Sequence, residues 1–180
     1  MQDPQILSEG GFGQITYPSA SPFEIHHILC KMDEAVEHPV FGSLLVPEEP
    51  SDGPMPCVVA VHGSLNWRGH HHEHIVRWLD AGICVFRVHS FDSRSVYSVV
   101  EDQMQVTHAM MLADCYQALR MLSTHPSIDE SRIGIAGWSL GGTVGLYSAW
   151  EPIAESLAPA GERFAAHLPF YPAAHMRTEV

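Results

Sequence analysis

The sequence predicts an α/β domain built on a mostly parallel sheet with helices on both faces. Three observations carry that expectation. "CVVAVHG" (57–63) and "ICVFRV" (83–88) are continuous apolar, largely β-branched runs. Such runs mark strands buried on both faces, as in a parallel sheet. Helical periodicity separates the strand-like runs, and strands alternating with helices imply βαβ units with right-handed crossovers. Third, "RIGIA" (132–136) runs straight into "GWSLGG" (137–142), a strand-to-helix turn centred on a serine.

Taken in order, residues 1–22 are rich in Gly, Pro and Ser and read as a loose lead-in, with a single domain over 23–180. "FEIHHILCKM" (23–32) and "HPVFGSLLVPE" (38–48) read as two strands joined by an acidic turn. After a proline-rich loop comes the strand 57–63. A helix is expected over 70–80, with Ile75, Val76 and Leu79 as its apolar face and Gly82 as its terminator. The strand 83–88 follows. The longest helix signal spans 102–122. There His108, Met111, Leu112, Cys115, Leu119 and Leu122 form an apolar stripe, and Val106, Met110, Ala113, Gln117 and Arg120 fall on another side. "RIGIA" is the fifth strand, and a helix rich in small residues runs from Leu140 to about Trp150. Residues 151–163 read as an irregular excursion, and "FAAHLPFYP" (164–172) as a sixth strand.

Composition narrows the function. The 180 residues are 46% hydrophobic and 17% charged, ordinary for a globular domain. A formal net charge of −12 argues against nucleic acid. Cys30, Cys57, Cys84 and Cys115 form no CxxC pair, and three of them fall in strand-like runs. They read as buried thiols in a reducing compartment, without metal or redox roles. The first residues lack a signal-peptide pattern, and no apolar run reaches the ~20 residues that span a bilayer. A cytoplasmic protein with no membrane partner and no cofactor is expected. "HHHEH" (70–74) puts His70 and His74 one helical turn apart, but no third ligand is placed by sequence, so a solvated histidine patch near the site entrance is the expectation.

The chemistry gathers at Ser139. In Gly-x-Ser-x-Gly the serine occupies a strained turn, and side chains two residues either side would strike the backbone. The helix starting at Leu140 offers its free N–H groups to an oxyanion beside Ser139. "AVHGSLNW" (60–67) ends a buried strand with a flexible turn. Ligands of such sheets sit outside the carboxyl ends of strands, so the Ser64 or Leu65 N–H is a second candidate donor. His62 reads as a structural residue of that turn.

These features resemble the dienelactone hydrolase family of α/β-hydrolases. The resemblance rests on "VVAVHGS" (58–64), "DQMQV" (102–106), "ADCYQAL" (113–119), "HPSIDESRIGIAGWSLGG" (125–142) and "RFAAHLPFYP" (163–172). It covers roughly residues 15–175 and leaves the last two strands of the family fold unaccounted for. It implies an α/β-hydrolase-type sheet, truncated after about the sixth strand. It also implies a serine hydrolase cleaving a small-molecule ester or lactone through an acyl-enzyme on Ser139. Two departures stand out. The founding members carry cysteine where this chain has Ser139, which favours esterase-like activity over a true dienelactone substrate. In "HSFDSRS" (89–95), Ser95 replaces a family glycine, and Arg94 is left as a candidate contact for an acidic substrate group.

A serine needs a base, and that base needs an orienting acid. The family order is Ser, acid, His, with both partners after later strands. Beyond Ser139 the chain offers His167, His175, Glu151, Glu155, Glu162 and Glu179. None forms an evident triad. The triad acid and histidine are expected outside these residues, and the 164–172 strand is expected to be an open edge covered by a partner chain, a second copy or, as the favoured reading, a continuation of the same polypeptide. The alternative is a catalytically incomplete or split hydrolase domain acting as an interaction module. A third possibility is acyl transfer to an acceptor other than water.

Overall fold

The computed structural model describes residues 3–50 and 52–173. Its six strands are β1 (Gly13–Ser21), β2 (Val36–Leu45), β3 (Met55–Val61), β4 (Cys84–Val88), β5 (Ile128–Trp138) and β6 (His167–Phe170). They form one sheet in the order β1-β2-β4-β3-β5-β6. The pairs β4–β3, β3–β5 and β5–β6 are parallel, while β1–β2 and β2–β4 are antiparallel. The central strands are thus the apolar runs, as their continuous burial requires.

The helices are α1 (Ile25–Cys30), α2 (Gly69–Asp80), α3 (His108–Leu122), α4 (Leu140–Tyr147) and α5 (Glu151–Leu157). The side chains of β3 divide between the two faces. Cys57, Val59 and Val61 join the main core with residues of α1, α3, α4 and α5. Ala60 joins Val85 and Trp138 beneath Ile75, Trp78 and Leu79 of α2. Helices therefore cover both faces, and the α/β-hydrolase-type architecture expected from sequence is present as a six-stranded sheet. None of these helices is long and apolar enough to cross a membrane.

Several local expectations are corrected. The first strand lies at Gly13–Ser21, inside the stretch read as a loose lead-in, and pairs with β2 along its whole length. Ile15 and Tyr17 point inward at a spacing of two, and the surrounding Gly, Pro and Ser mask that alternation. The 23–32 run is not a strand. Ile25, Ile28, Leu29 and Met32 recur at helical spacing as well; the first three lie in α1, Met32 opens the 3₁₀ turn after it, and all pack on the core. β1 already takes the place beside β2.

In α2, Val76 is exposed, and the inward face is His71, Ile75, Trp78 and Leu79. Gly82 terminates it with φ +77°. The third helix begins at His108, because Thr107 caps it by accepting the Met110 N–H at 3.3 Å. It is buried on nearly every side rather than along one stripe, as a helix sandwiched between β1 and α4 must be. Residues 151–157 of the expected excursion are helical, with Pro152 tolerated in the first turn. Cys57, Cys84 and Cys115 are buried, but Cys30 is exposed at the end of α1.

Candidate active site

The turn between β5 and α4 holds Ser139 in an uncommon conformation, φ +54° and ψ −112°. A non-glycine residue there is strained by on the order of 1–3 kcal/mol, and persists only where its surroundings fix it. Here they do. The Ser139 N–H donates to Phe170 O at 3.0 Å, and its carbonyl accepts the Thr143 N–H at 2.9 Å. Close backbone contact explains the flanking glycines. A Cβ on Gly137 would strike the Gly141 carbonyl, and one on Gly141 would strike the carbonyls of Val61 and His62. The serine is left exposed while Trp138 beneath it is buried. Leu140 is the first residue of α4, so its N–H has no acceptor within the helix.

Facing the serine is the turn Gly63–Asn66, just past the carboxyl end of β3. A Cβ on Gly63 would lie 3.1 Å from Trp138 O and 3.4 Å from Ser139 Cβ, so this turn abuts the elbow directly. The structure thus brings Ser64, Leu65 and Ser139 onto one open cleft of about 300 Å³. Arg68, His70, His71, Val100, Trp138 and Tyr171 also line it. The sequence places only the 70–74 histidines near the site entrance and leaves the others unassigned, since α2, the 95–107 segment and the end of β6 meet only in the folded chain. One signal was available: His71 follows Arg68 at the capping spacing, and its Nδ1 accepts the Arg68 N–H at 3.0 Å. Arg68 also reaches Tyr97, with Nη1 3.3 Å from the hydroxyl.

Other candidates lie elsewhere. Arg94 is turned into the core, where its Nη1 meets Asp114 Oδ2 at 2.7 Å and its Nη2 meets Oδ1 at 3.0 Å. It also bonds the carbonyls of Ser90 and Ala20. Burial alone would lower the Arg94 guanidinium, but the facing carboxylate reverses this and its pKa is raised. Arg94 therefore ties the loop after β4 to α3 and β1 and does not line the serine cleft.

His62 is fully buried. Its Nδ1 lies 2.9 Å from Gly63 O, and burial pushes its pKa down to about 4. That makes it a neutral turn residue, as expected. His71 is pushed down to about 3, first by burial and then by the neighbouring His70, His62, His72 and Arg87. His167 bonds Ser148 Oγ at 2.9 Å, Glu151 pairs with Arg163 at 2.6 Å, and Glu162 faces Arg120 at 3.8 Å. His175 and Glu179 lie outside the described residues. Among the described residues, no histidine is hydrogen-bonded to the Ser139 hydroxyl. Nor does any group of three His, Cys, Asp or Glu side chains there suit a metal. His70 meets the Tyr171 hydroxyl at 3.3 Å, and His74 packs against Trp138 and Phe170.

What fold and site define is an α/β-hydrolase scaffold with a serine on its strand-to-helix elbow. Within that class, a family model for acetyl xylan esterase (AXE1) matches residues 95–173, the part holding the elbow. Two solved structures agree on the fold. The acetyl xylan esterase from Paenibacillus sp. R4 is 21% identical over 96% of this chain and 52% of its own, with a TM-score of 0.52. Est1E from Butyrivibrio proteoclasticus, solved with ferulic acid bound, is 17% identical over 76% of this chain and 50% of its own, with a TM-score of 0.56. A dienelactone hydrolase-like promiscuous phosphotriesterase from metagenomic libraries aligns at 20% identity over 82% and 56%, with a TM-score of 0.49. No curated protein matches by sequence. The chain spans about half the length of these solved structures.

Proposed function

We propose that the chain carries the nucleophile of a carboxylic ester hydrolase. Ser139 gives its proton to the base and attacks the ester or lactone carbonyl, the N–H of Leu140 and that of Ser64 or Leu65 receive the oxyanion, the alcohol leaves with that proton (in a lactone it stays tethered to the acyl group), and water then releases the acyl group from Ser139 as the acid. The observation that carries this reading is the exposed, left-handed Ser139 held between three backbone segments and facing the Gly63–Asn66 turn. The matched esterase family model over the same elbow supports it. The base and its orienting acid are assigned to residues outside the described ones, in the part of the matched structures that has no counterpart here. A fluorophosphonate probe tests the reading. In the complete protein, with base and acid present, it should label Ser139 and leave a Ser139→Ala variant unmarked; an unlabelled serine there would remove the basis of the reading.

One observation favours a second reading, an interaction module. In the described sheet β6 pairs on one side only, with β5, and its residues are half-exposed or exposed. Light scattering separates the two. A stable oligomer without ester turnover supports the module, whereas a labelled, turning-over monomer supports the enzyme. Hydrolysis and transfer to another acceptor differ only in what attacks the acyl-enzyme, and an added alcohol tests which occurs.

A further inference from the structure

The turn facing Ser139 is held from behind by a chain of polar contacts. Gly63 O accepts the Asn66 N–H at 2.9 Å, and the His62 ring nitrogen approaches the same oxygen at 2.9 Å. A trans peptide points its N–H opposite to its carbonyl, so the Ser64 N–H is directed away from the His62 ring. Asn66 closes the turn with φ +65°, a conformation asparagine tolerates better than most residues. Both ends of its amide are engaged. Oδ1 accepts the Trp67 N–H at 2.8 Å, and Nδ2 donates to Asp92 Oδ1 at 2.8 Å.

Asp92 lies in a short 3₁₀ turn, Asp92–Arg94, after β4. Its other oxygen, Oδ2, is 3.1 Å from His89 Nδ1, and His89 Nε2 is 3.1 Å from Ser43 Oγ on β2. With the carboxylate as acceptor, Nδ1 carries the proton and Nε2 accepts from the serine. The His89 ring is stacked on Phe41, centroids 4.9 Å apart and planes 18° apart. A relay therefore runs from β2 through His89 and Asp92 to Asn66. Asn66 reaches the cleft, while Asp92, His89 and Ser43 do not line it.

We infer that Asn66 and Asp92 are positioning residues that aim the N–H groups of the Gly63–Asn66 turn at the oxyanion formed on Ser139. The inference rests on the serine-hydrolase reading. It requires the turn to survive without them, and the structure supplies the means. Ser64 O independently accepts the Val99 N–H at 3.0 Å and the Ser98 hydroxyl at 3.2 Å. Loss of the relay then rotates the donors without detaching the loop. Misaligned donors weaken transition-state binding while leaving ground-state binding largely intact.

The test uses the full chain with p-nitrophenyl acetate, the fluorophosphonate labelling rate, and amide hydrogen exchange at Ser64 and Leu65. Asp92→Ala should lower kcat, or the labelling rate, by about 10- to 100-fold with KM changed less than about twofold. Asp92→Asn should restore most of the rate, because its side-chain oxygen still accepts from Asn66 Nδ2 and its amide meets the other His89 tautomer. Asn66→Gly keeps the left-handed turn but deletes the contact to Asp92, so it should match Asp92→Ala even if that variant folds poorly. An unchanged rate in Asn66→Gly, or a rise in KM alone, overturns the inference. If the wild-type serine does not label, the hydrolase reading fails separately. Amide exchange then still decides the positioning claim: faster exchange at Ser64 and Leu65 in Asn66→Gly supports it, and unchanged exchange refutes it.

Discussion

Ser139 and Arg94 both stand out in the sequence as site residues, and the fold treats them in opposite ways. Ser139 is exposed at the carboxyl end of β5 in a strained conformation, with its side chain facing a cleft. Arg94 is buried, bidentate to Asp114, and bonded to two carbonyls besides. One residue is held outward at a conformational cost. The other spends its charge holding three elements together. A polar residue after a strand in this sheet faces the cleft when the backbone forces it outward, and becomes structural when a complementary charge waits inside. For Arg94 that charge is 20 positions away on α3.

The largest expected effect breaks the comparison at Ser139. Ser139→Gly should abolish fluorophosphonate labelling completely. The glycine relieves strain of about 1–3 kcal/mol, set against its greater freedom in the unfolded chain, about 0.4–1 kcal/mol. The variant should therefore melt at or above the wild-type temperature in calorimetry. A drop in melting temperature would show that the serine conformation is not strained.

At Arg94 the opposite pattern is expected. Arg94→Met leaves the Asp114 carboxylate buried without its cation, a loss of about 3–5 kcal/mol of stability. Asp114→Asn should cost less, because the amide oxygen still accepts from Arg94 and its nitrogen can turn toward Ser19 Oγ, which lies 2.6 Å from Oδ1. Urea unfolding reads both values. Folded Arg94→Met protein should still label at Ser139. Loss of labelling with unchanged stability would return Arg94 to the site.

The same contrast explains what was legible in the sequence. The elbow is dictated locally: Gly137, Ser139 and Gly141 lie within five residues, and backbone collisions demand those glycines. The central parallel strands were legible because burial on both faces leaves an unbroken apolar run. Long-range partners were not. Nothing near Arg94 announces Asp114, and nothing near "GQITYPSAS" announces β2. The run 23–32 fits two periodicities, and only the occupied place beside β2 decides for the helix. The cleft wall from Arg68 to His71 depended on how α2 docks, which hydrophobic spacing alone misjudged at Val76.

Acid should separate the two regions next. His62 is buried beside the cleft with its pKa lowered to about 4, against about 6.5 for an unfolded histidine. Between those values the unfolded chain binds the proton and the native one does not, so stability falls as pH drops from 6.5 toward 4. The span of about 2.5 units corresponds to roughly 3 kcal/mol at most. His71, lowered to about 3, adds a loss of the same sign extending further into acid. His62→Phe should flatten the slope of stability against pH by up to one proton in urea titrations run from pH 7 to 4.5. The Arg94 guanidinium, its pKa raised by the facing carboxylate, keeps its charge over that range and contributes nothing to that slope.

The smallest effect checks that stability and site can be moved independently. Thr107 caps α3 through the Met110 N–H, outside both the cleft and the Arg94 network. Thr107→Ala should lower stability by about 1 kcal/mol, the usual value of a lost helix cap. Neither the labelling rate of Ser139 nor the pH slope set by His62 should change. A slower label in this variant would mean that α3 transmits to the elbow through α4, which packs on it, and that the serine is held less locally than its own hydrogen bonds to Phe170 and Thr143 imply.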